Sequence, residues 1–292
     1  YLAEYAVKYF GEEQLESNSF TYRLKTILDN VMYLMKHIME ELSQSEFFVA
    51  DCELKIGEDI PSYTIVLTDG HKIAVCGSVD RVDIMQRADI TYLRIIDYKT
   101  GTKQFKLSDI LYGINLQMLL YLHSIEATGG DKYGEIVPAG ILYMPATVPY
   151  ISSESLKSID KLPDELNKKL KMNGLLLKDT EIIHGMDKTD VATYIPVKIK
   201  AGEPVSSTSL ATLAEFGKIF KKVDMLIAEM GKNIYNGNIE AKPLKGGHDS
   251  CEYCPYDSVC AYRQSNPITC FSVDNKTVIE EITNEINGKE EE

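Results

Sequence analysis

The chain has 292 residues, 44% of them hydrophobic, and a formal net charge of −13, which suits a soluble chain forming one large domain or two small ones. No run approaches the roughly 20 apolar residues that a membrane span needs, and no charged-then-apolar signal segment opens the chain, so a cytoplasmic protein is expected. The acidic balance argues against a free-standing nucleic-acid binder, which usually presents a basic face, and a start at Tyr1 rather than Met suggests a piece of something longer.

Residues 1–46 read as a helical N-terminal part. From 20 to 45, Leu24, Ile27, Leu28, Val31, Leu34, Met35, Ile38 and Leu42 recur at three- and four-residue steps, which predicts a long amphipathic helix. His37 lies on it and is expected at the surface. Residues 47–145 read as a sheet with one helix. Phe47 to Ile56 predicts the first core strand, which carries Glu53. Ser62 to Leu67 and Lys72 to Val82 continue the sheet, with Thr68-Asp69-Gly70 as a turn. Cys52 and Cys76 fall in these strands and read as buried packing thiols.

The stretch from 77 to 121 carries the chemistry. Gly77 to Asp83 and Leu93 to Lys99 read as strands joined by the polar turn Gln86-Arg-Ala-Asp89. Residues two apart in a strand share a face, so Asp97 and Lys99 project together and Tyr98 projects away. If the strands pair, Asp80 reaches the same spot. An Asp–Lys pair on a solvated hairpin is the plain alternative. However, two carboxylates and an amine at the edge of an apolar sheet are costly unless they serve a purpose. Mg²⁺ would supply one, held by Asp80, Asp97 and a backbone carbonyl; it would polarise a phosphate and generate a water nucleophile. Ser108 reads as the N-cap of a helix running to about Ala127, on which Gln117 and Tyr121 share a face, with Gly113 one turn earlier.

Ile136 to Met144, apolar throughout, predicts a buried strand. Residues 146–205 lose the clear pattern and read as an insertion, with a short helix from Pro163 to about Lys171. In the segment 206–275, Ser207 or Thr208 is expected to cap a helix to about Tyr235, with an apolar stripe from Leu213 through Phe216, Phe220, Val223, Ile227 and Met230 to Ile234. The chain then reaches Cys251-Glu-Tyr-Cys254-Pro-Tyr-Asp-Ser-Val-Cys260, and Lys276 onward is an acidic tail. Three thiols this close suit zinc or an iron–sulfur cluster, and the spacing leaves both open. A disulfide framework is disfavoured in a chain with no secretion signal.

Together, Asp80, the Asp97-Tyr98-Lys99 triplet and the Gln117–Tyr121 pair resemble the PD-(D/E)xK nucleases of the RecB type. The wording from Gly77 to Asp83, from Arg94 to Gly101 and from Tyr112 to Leu122, with Met172 to Asp179, is most similar to the nuclease domains of AddB-type subunits of AddAB helicase–nucleases. The resemblance implies an α/β fold: a restriction-endonuclease-like core, with a mixed sheet flanked by helices, a helical insertion and a C-terminal cysteine segment. It implies Asp80, Asp97 and the Tyr98 backbone carbonyl as Mg²⁺ ligands, with Glu53 as a further candidate. Lys99 would be the catalytic lysine, and Gln117 and Tyr121 the pair that positions the DNA strand.

The resemblance also implies that Cys251, Cys254 and Cys260 join one distant cysteine to hold a structural 4Fe–4S cluster. The fourth ligand is expected upstream of Tyr1, with Cys270 as the substitute. The family's active-site histidine is expected upstream too, so this piece alone can lack activity. The implied role is a metal-dependent exonuclease, acting on DNA alongside an AddA-type helicase–nuclease subunit, on the 5′-terminated strand, to prepare breaks for recombination. No Gly-rich phosphate loop ending in Gly-Lys-Ser/Thr is present, so the motor lies elsewhere. Two rivals remain: a nuclease-like module that binds DNA or a partner without cutting, and a stand-alone CRISPR-associated exonuclease.

Overall fold

The computed structural model describes residues 2–11, 17–101, 103–152, 158–206, 208–260 and 267–290. Helix α1 (Leu2–Phe10) precedes the long helix α2 (Asn18–Ser43). Strands β1 (Phe48–Ile56), β2 (Tyr63–Val66), β3 (Lys72–Val75), β4 (Gly77–Arg87) and β5 (Ile90–Lys99) follow. A 3₁₀ segment, Leu107–Tyr112, leads to α3 (Gln117–Thr128) and β6 (Glu135–Pro145). Then come α4 (Leu162–Leu170), β7 (Asn173–Leu177), α5 (Thr180–Met186), β8 (Lys198–Lys200), β9 (Glu203–Val205) and β10 (Leu210–Ala211). Helix α6 (Leu213–Tyr235), the short strands β11 (Leu244–Gly246) and β12 (Ile268–Cys270), and helix α7 (Asn275–Glu290) complete the order.

Six strands form one mixed sheet, ordered β1-β4-β5-β6-β7-β10. The β1–β4, β4–β5 and β6–β7 pairs are antiparallel; β5–β6 and β7–β10 are parallel. The parallel step from β5 to β6 is bridged by α3, as such a crossover requires. In the middle strands Ile95, Ile96, Ile141 and Leu142 are buried on both faces, which is why these segments read as continuous apolar runs. The sheet flanked by helices is the fold class expected from the sequence.

Several local expectations differ from the structure. Strands β2 and β3 do not extend the main sheet; they form a separate hairpin, because the chain breaks at Cys76. Cys52 and Cys76 are exposed thiols rather than packing residues, since β1 is an edge strand and Cys76 sits in that break. Ser108 caps nothing: it is buried inside the 3₁₀ segment. Gly113 (φ +68°) and Asn115 (φ +55°) turn the chain there, so α3 starts only at Gln117. The cap of α6 is Thr212, which accepts from the Glu215 amide in a capping box; Ser207 lies outside the described residues.

The segment 146–205 is not all peripheral, because β7 joins the sheet and Leu175 and Leu176 are fully buried. Beyond Asn275 the acidic tail is helix α7, with Val278, Ile282 and Ile286 buried and Glu285 paired to the buried Lys222 of α6 at 2.5 Å.

Helix α2 inverts its reading. Ile27, Val31, Met32 and Met35 are exposed, whereas His37 (5% exposed) and Glu41 (0%) are buried. His37 packs near the Tyr194 ring, and burial lowers its basicity. Glu41 reaches the Arg81 and Arg94 guanidiniums at 3.0 and 2.6 Å. Both arginines also bind Asp83, so a fully buried four-charge network fastens α2 to β4 and β5. Each charge there is paired, as burial demands.

Candidate active site

Strands β4 and β5 pair with Arg81 opposite Ile96. One step further, the same register sets Asp80 across from Asp97. Opposed residues in an antiparallel pair share a face. Tyr98 goes the other way: its hydroxyl lies 3.4 Å from an Arg81 nitrogen in the buried network. The charged network on one face therefore clamps the two strands that carry the acids on the other.

Asp80 Oδ2 accepts the Tyr98 backbone N–H at 2.9 Å, which ties the carboxylate to the neighbouring strand. Asp97 is 7% exposed and its Oδ2 touches the Lys99 ammonium in an ion pair. The contact lacks hydrogen-bond alignment, so this solvent-free oxygen has no donor. Lys99 is its charge partner there, and the same oxygen has the chemistry to ligate an oxygen-seeking cation. The donor set of two carboxylates with backbone carbonyl and water suits Mg²⁺.

Glu53 stands in β1 with φ +54°, an uncommon conformation for a residue with a Cβ. Its carboxylate accepts from Ser78 Oγ at 3.0 Å. Ser78 is two residues from Asp80 and so shares its face, bringing Glu53 to the same side as the two aspartates. Gln117 and Tyr121 meet at 3.5 Å, the outer limit of a hydrogen bond. Tyr121 lies over Gly77 at the start of β4: a Cβ there would sit 2.2 Å from its hydroxyl. Tyr121 is thereby seated against the start of β4, the strand that carries Asp80.

Three residues of the neighbourhood escape sequence reasoning. Tyr143 of β6 pairs in register with Asp97; its hydroxyl is buried without a partner, and burial, with Asp97 and Asp109 nearby, pushes it up to about 12. The Lys99 and Lys103 ammoniums stand 5.8 and 5.0 Å from the Tyr143 ring. Burial and the adjacent Lys99 make Lys103 less basic than usual. No period marks Tyr143 in an all-apolar strand, and Lys103 and Asp109 lie past the end of β5.

The cysteines are arranged otherwise. Cys251 and Cys254 are half-buried and Cys260 is exposed at the end of a single helical turn. Cys254 N–H donates to the Cys251 carbonyl at 3.2 Å. Cys270 is buried in β12, where burial raises its thiol. Among the described residues no three His, Cys, Asp or Glu side chains gather into a site that could hold a metal. The thiols have the donor chemistry of an iron–sulfur centre but do not form a closed site.

Comparison with known proteins shows the family. The family described as the PD-(D/E)XK nuclease superfamily matches residues 2–261. The B subunit of the ATP-dependent helicase/deoxyribonuclease of Thermoanaerobacter sp. (strain X514) is 37% identical over 246 residues, 82% of this chain and 21% of the relative. The protein of the same name from Clostridium kluyveri (strain NBRC 12016) is 36% identical over 281 residues, 93% of this chain and 24% of the relative. That of Alkaliphilus oremlandii (strain OhILAs) is 35% identical over 275 residues, covering 90% and 24%. The chain spans about a fifth to a quarter of the length of these relatives.

Proposed function

The chain belongs to the PD-(D/E)XK nuclease superfamily, and from that premise we propose that it is the nuclease domain of an AddB-type subunit, hydrolysing DNA phosphodiester bonds with Mg²⁺. The observation that carries the reading is the pairing of Asp80 and Asp97 on adjacent strands, with Lys99 against an Asp97 oxygen that has no hydrogen-bond donor. Asp80, Asp97 and the Tyr98 carbonyl would hold the ion, with Glu53 on the same side. When bound, Mg²⁺ would supply charge stabilisation and a more acidic water.

The chain's own groups do the rest. Lys99 donates to the attacking water or to a non-bridging phosphate oxygen, offsetting charge as the new P–O bond forms and the old one breaks. The Tyr98 amide fixes one Asp80 oxygen, which leaves the other free. Tyr121, seated on Gly77, and Gln117 orient the strand. Among the described residues no helix is long and apolar enough to cross a membrane. We further assign the chain a cytoplasmic setting, an AddA-type partner, action on the 5′-terminated strand, and a role in preparing breaks for recombination. Cys251, Cys254 and Cys260 are assigned to a structural 4Fe–4S cluster with no part in hydrolysis; iron and sulfide analysis of the full-length protein tests this.

The experiment for the active site uses the full-length protein with Asp97→Asn or Asp80→Asn. Cleavage of labelled DNA in Mg²⁺ is expected to fall at least a hundredfold, with Mn²⁺ binding weakened in calorimetry and far-UV circular dichroism unchanged. Cleavage at the parent rate by either variant would remove the assignment.

A further inference from the structure

The chain carries more acids than bases, yet two adjoining cavities, one of which begins directly after Lys99, are lined by lysines and, among the described residues, by no carboxylate. The first, about 740 Å³, opens at Thr100 and Gly101, directly after Lys99, and continues past Lys103 to Lys168, Lys169 and Lys171. The second, about 790 Å³, shares Lys168 and Lys171 and adds Lys198 and Lys200. The backbone binds the first cavity to the catalytic strand: Ala146 N–H donates to the Lys99 carbonyl at 2.8 Å, and the Thr147 hydroxyl to the Thr100 carbonyl at 2.7 Å. Most of these lysines come from the segment 146–205, which showed no readable pattern.

The same cavity holds an aromatic platform. Tyr150 lines it and is 84% exposed. Its backbone carbonyl is held by Lys169 at 2.8 Å, which fixes the chain at the residue that carries the ring. Lys168 bridges to Glu165 at 2.7 Å in an exposed pair, of a kind worth little in water and easily given up to a phosphate. Lys171 is fixed by the Ala192 and Val197 carbonyls. A lysine-lined groove with an exposed aromatic ring is how proteins grip single-stranded nucleic acid: cations track the backbone and bases stack on rings, whatever the sequence.

We propose that this groove is the path of the single DNA strand into the nuclease site, with Lys103, Lys168 and Lys169 on its phosphates and Tyr150 under a base. The proposal rests on the nuclease reading but adds to it the residues that present the strand. It also reconciles an acidic chain with a polyanionic substrate, since the positive charge is concentrated on the route to Asp97.

The test uses full-length protein and a dye-labelled oligothymidylate, with binding followed by fluorescence anisotropy in EDTA, so that no cleavage or metal enters the reading. The double reversal Lys168→Glu/Lys169→Glu changes only exposed side chains; Lys25→Glu/Lys36→Glu on α2 makes the same charge change elsewhere. The groove variant is expected to bind at least tenfold more weakly than the α2 variant. Its log–log salt slope should be shallower by about 1.4, the value for two phosphate contacts on a single strand. Tyr150→Ala is expected to lose roughly tenfold, and Lys168→Arg/Lys169→Arg to bind as the parent does. In Mg²⁺ the reversal should raise KM and leave kcat unchanged.

Affinity within twofold of the α2 variant would overturn the proposal, as would a loss confined to duplex DNA. Failure of the nuclease reading shows separately, as cleavage by Asp97→Asn, and leaves the anisotropy result unaffected.

Discussion

A methyl group on Gly77 would meet the Tyr121 hydroxyl at 2.2 Å, so one absent side chain sets where the tyrosine proposed to position the strand rests. The obstacle is the tip of a ring, not backbone, and Tyr121 can swing away. Gly77→Ala is therefore expected to keep the fold, costing about 1–2 kcal/mol in urea denaturation. Cleavage should fall ten- to a hundredfold, because a shift of about 1 Å in a positioning group can cost that much. Parent-level cleavage would show that Tyr121 has no positioning role. Asp80, Asp97 and Lys99 were legible because strand alternation puts carboxylates and amine on one face wherever the register falls as it does here. Tyr143 was not, because β6 is buried on both sides and its apolar run marks no face. The exposure of Cys52 and Cys76 was equally hidden: it depends on which strand ends up at an edge.

Helices and strands were easier to find than the faces they bury. Helix α2 was predicted within a few residues, yet it packs through His37 and Glu41 and leaves Ile27, Val31 and Met35 in the open. Periodicity assumes that apolar residues face the core, and the Arg81–Asp83–Arg94 cluster overrides that by demanding a buried carboxylate. A second polar tie joins α3, α6 and the β2–β3 hairpin. His123 stacks on Phe220 at 4.7 Å and contacts Tyr63 and Asp224 at 3.1 and 3.2 Å. Burial alone would lower its pKa, but Asp224 and Glu126 outweigh it and raise the value to about 9. A raised folded-state pKa gives stability that is full below the unfolded value near 6.5 and is lost as pH climbs through 9. Urea midpoints of the parent are thus expected to decline across that window, by on the order of 2 kcal/mol in all, and His123→Gln should flatten the decline. An identical decline in the variant would assign the pH response to other groups.

At the scale of the whole molecule, the mixed sheet and its crossover helix were legible from apolar runs and turn residues. The segment 146–205 was not, because a strand supplied late in the chain looks like any short apolar stretch until its partner, β6, is known. That segment also holds most of the groove lysines, so the net charge of −13 misleads when read as an average. Composition reports how much charge there is; the fold decides where it collects. Acids dominate the chain, yet the cavity that begins directly after Lys99 is lined by lysines, and hydrolysis of a polyanion is compatible with both. Lys99 is where these features converge: it touches Asp97, lies near the Tyr143 ring and directly precedes Thr100 and Gly101, which line the lysine groove. The most direct measurement is the rate at which full-length protein with Lys99→Ala cuts single-stranded DNA in saturating Mg²⁺. A fall of two to three orders of magnitude, with Mn²⁺ binding retained, is the predicted result; a rate within a few-fold of the parent would contradict it.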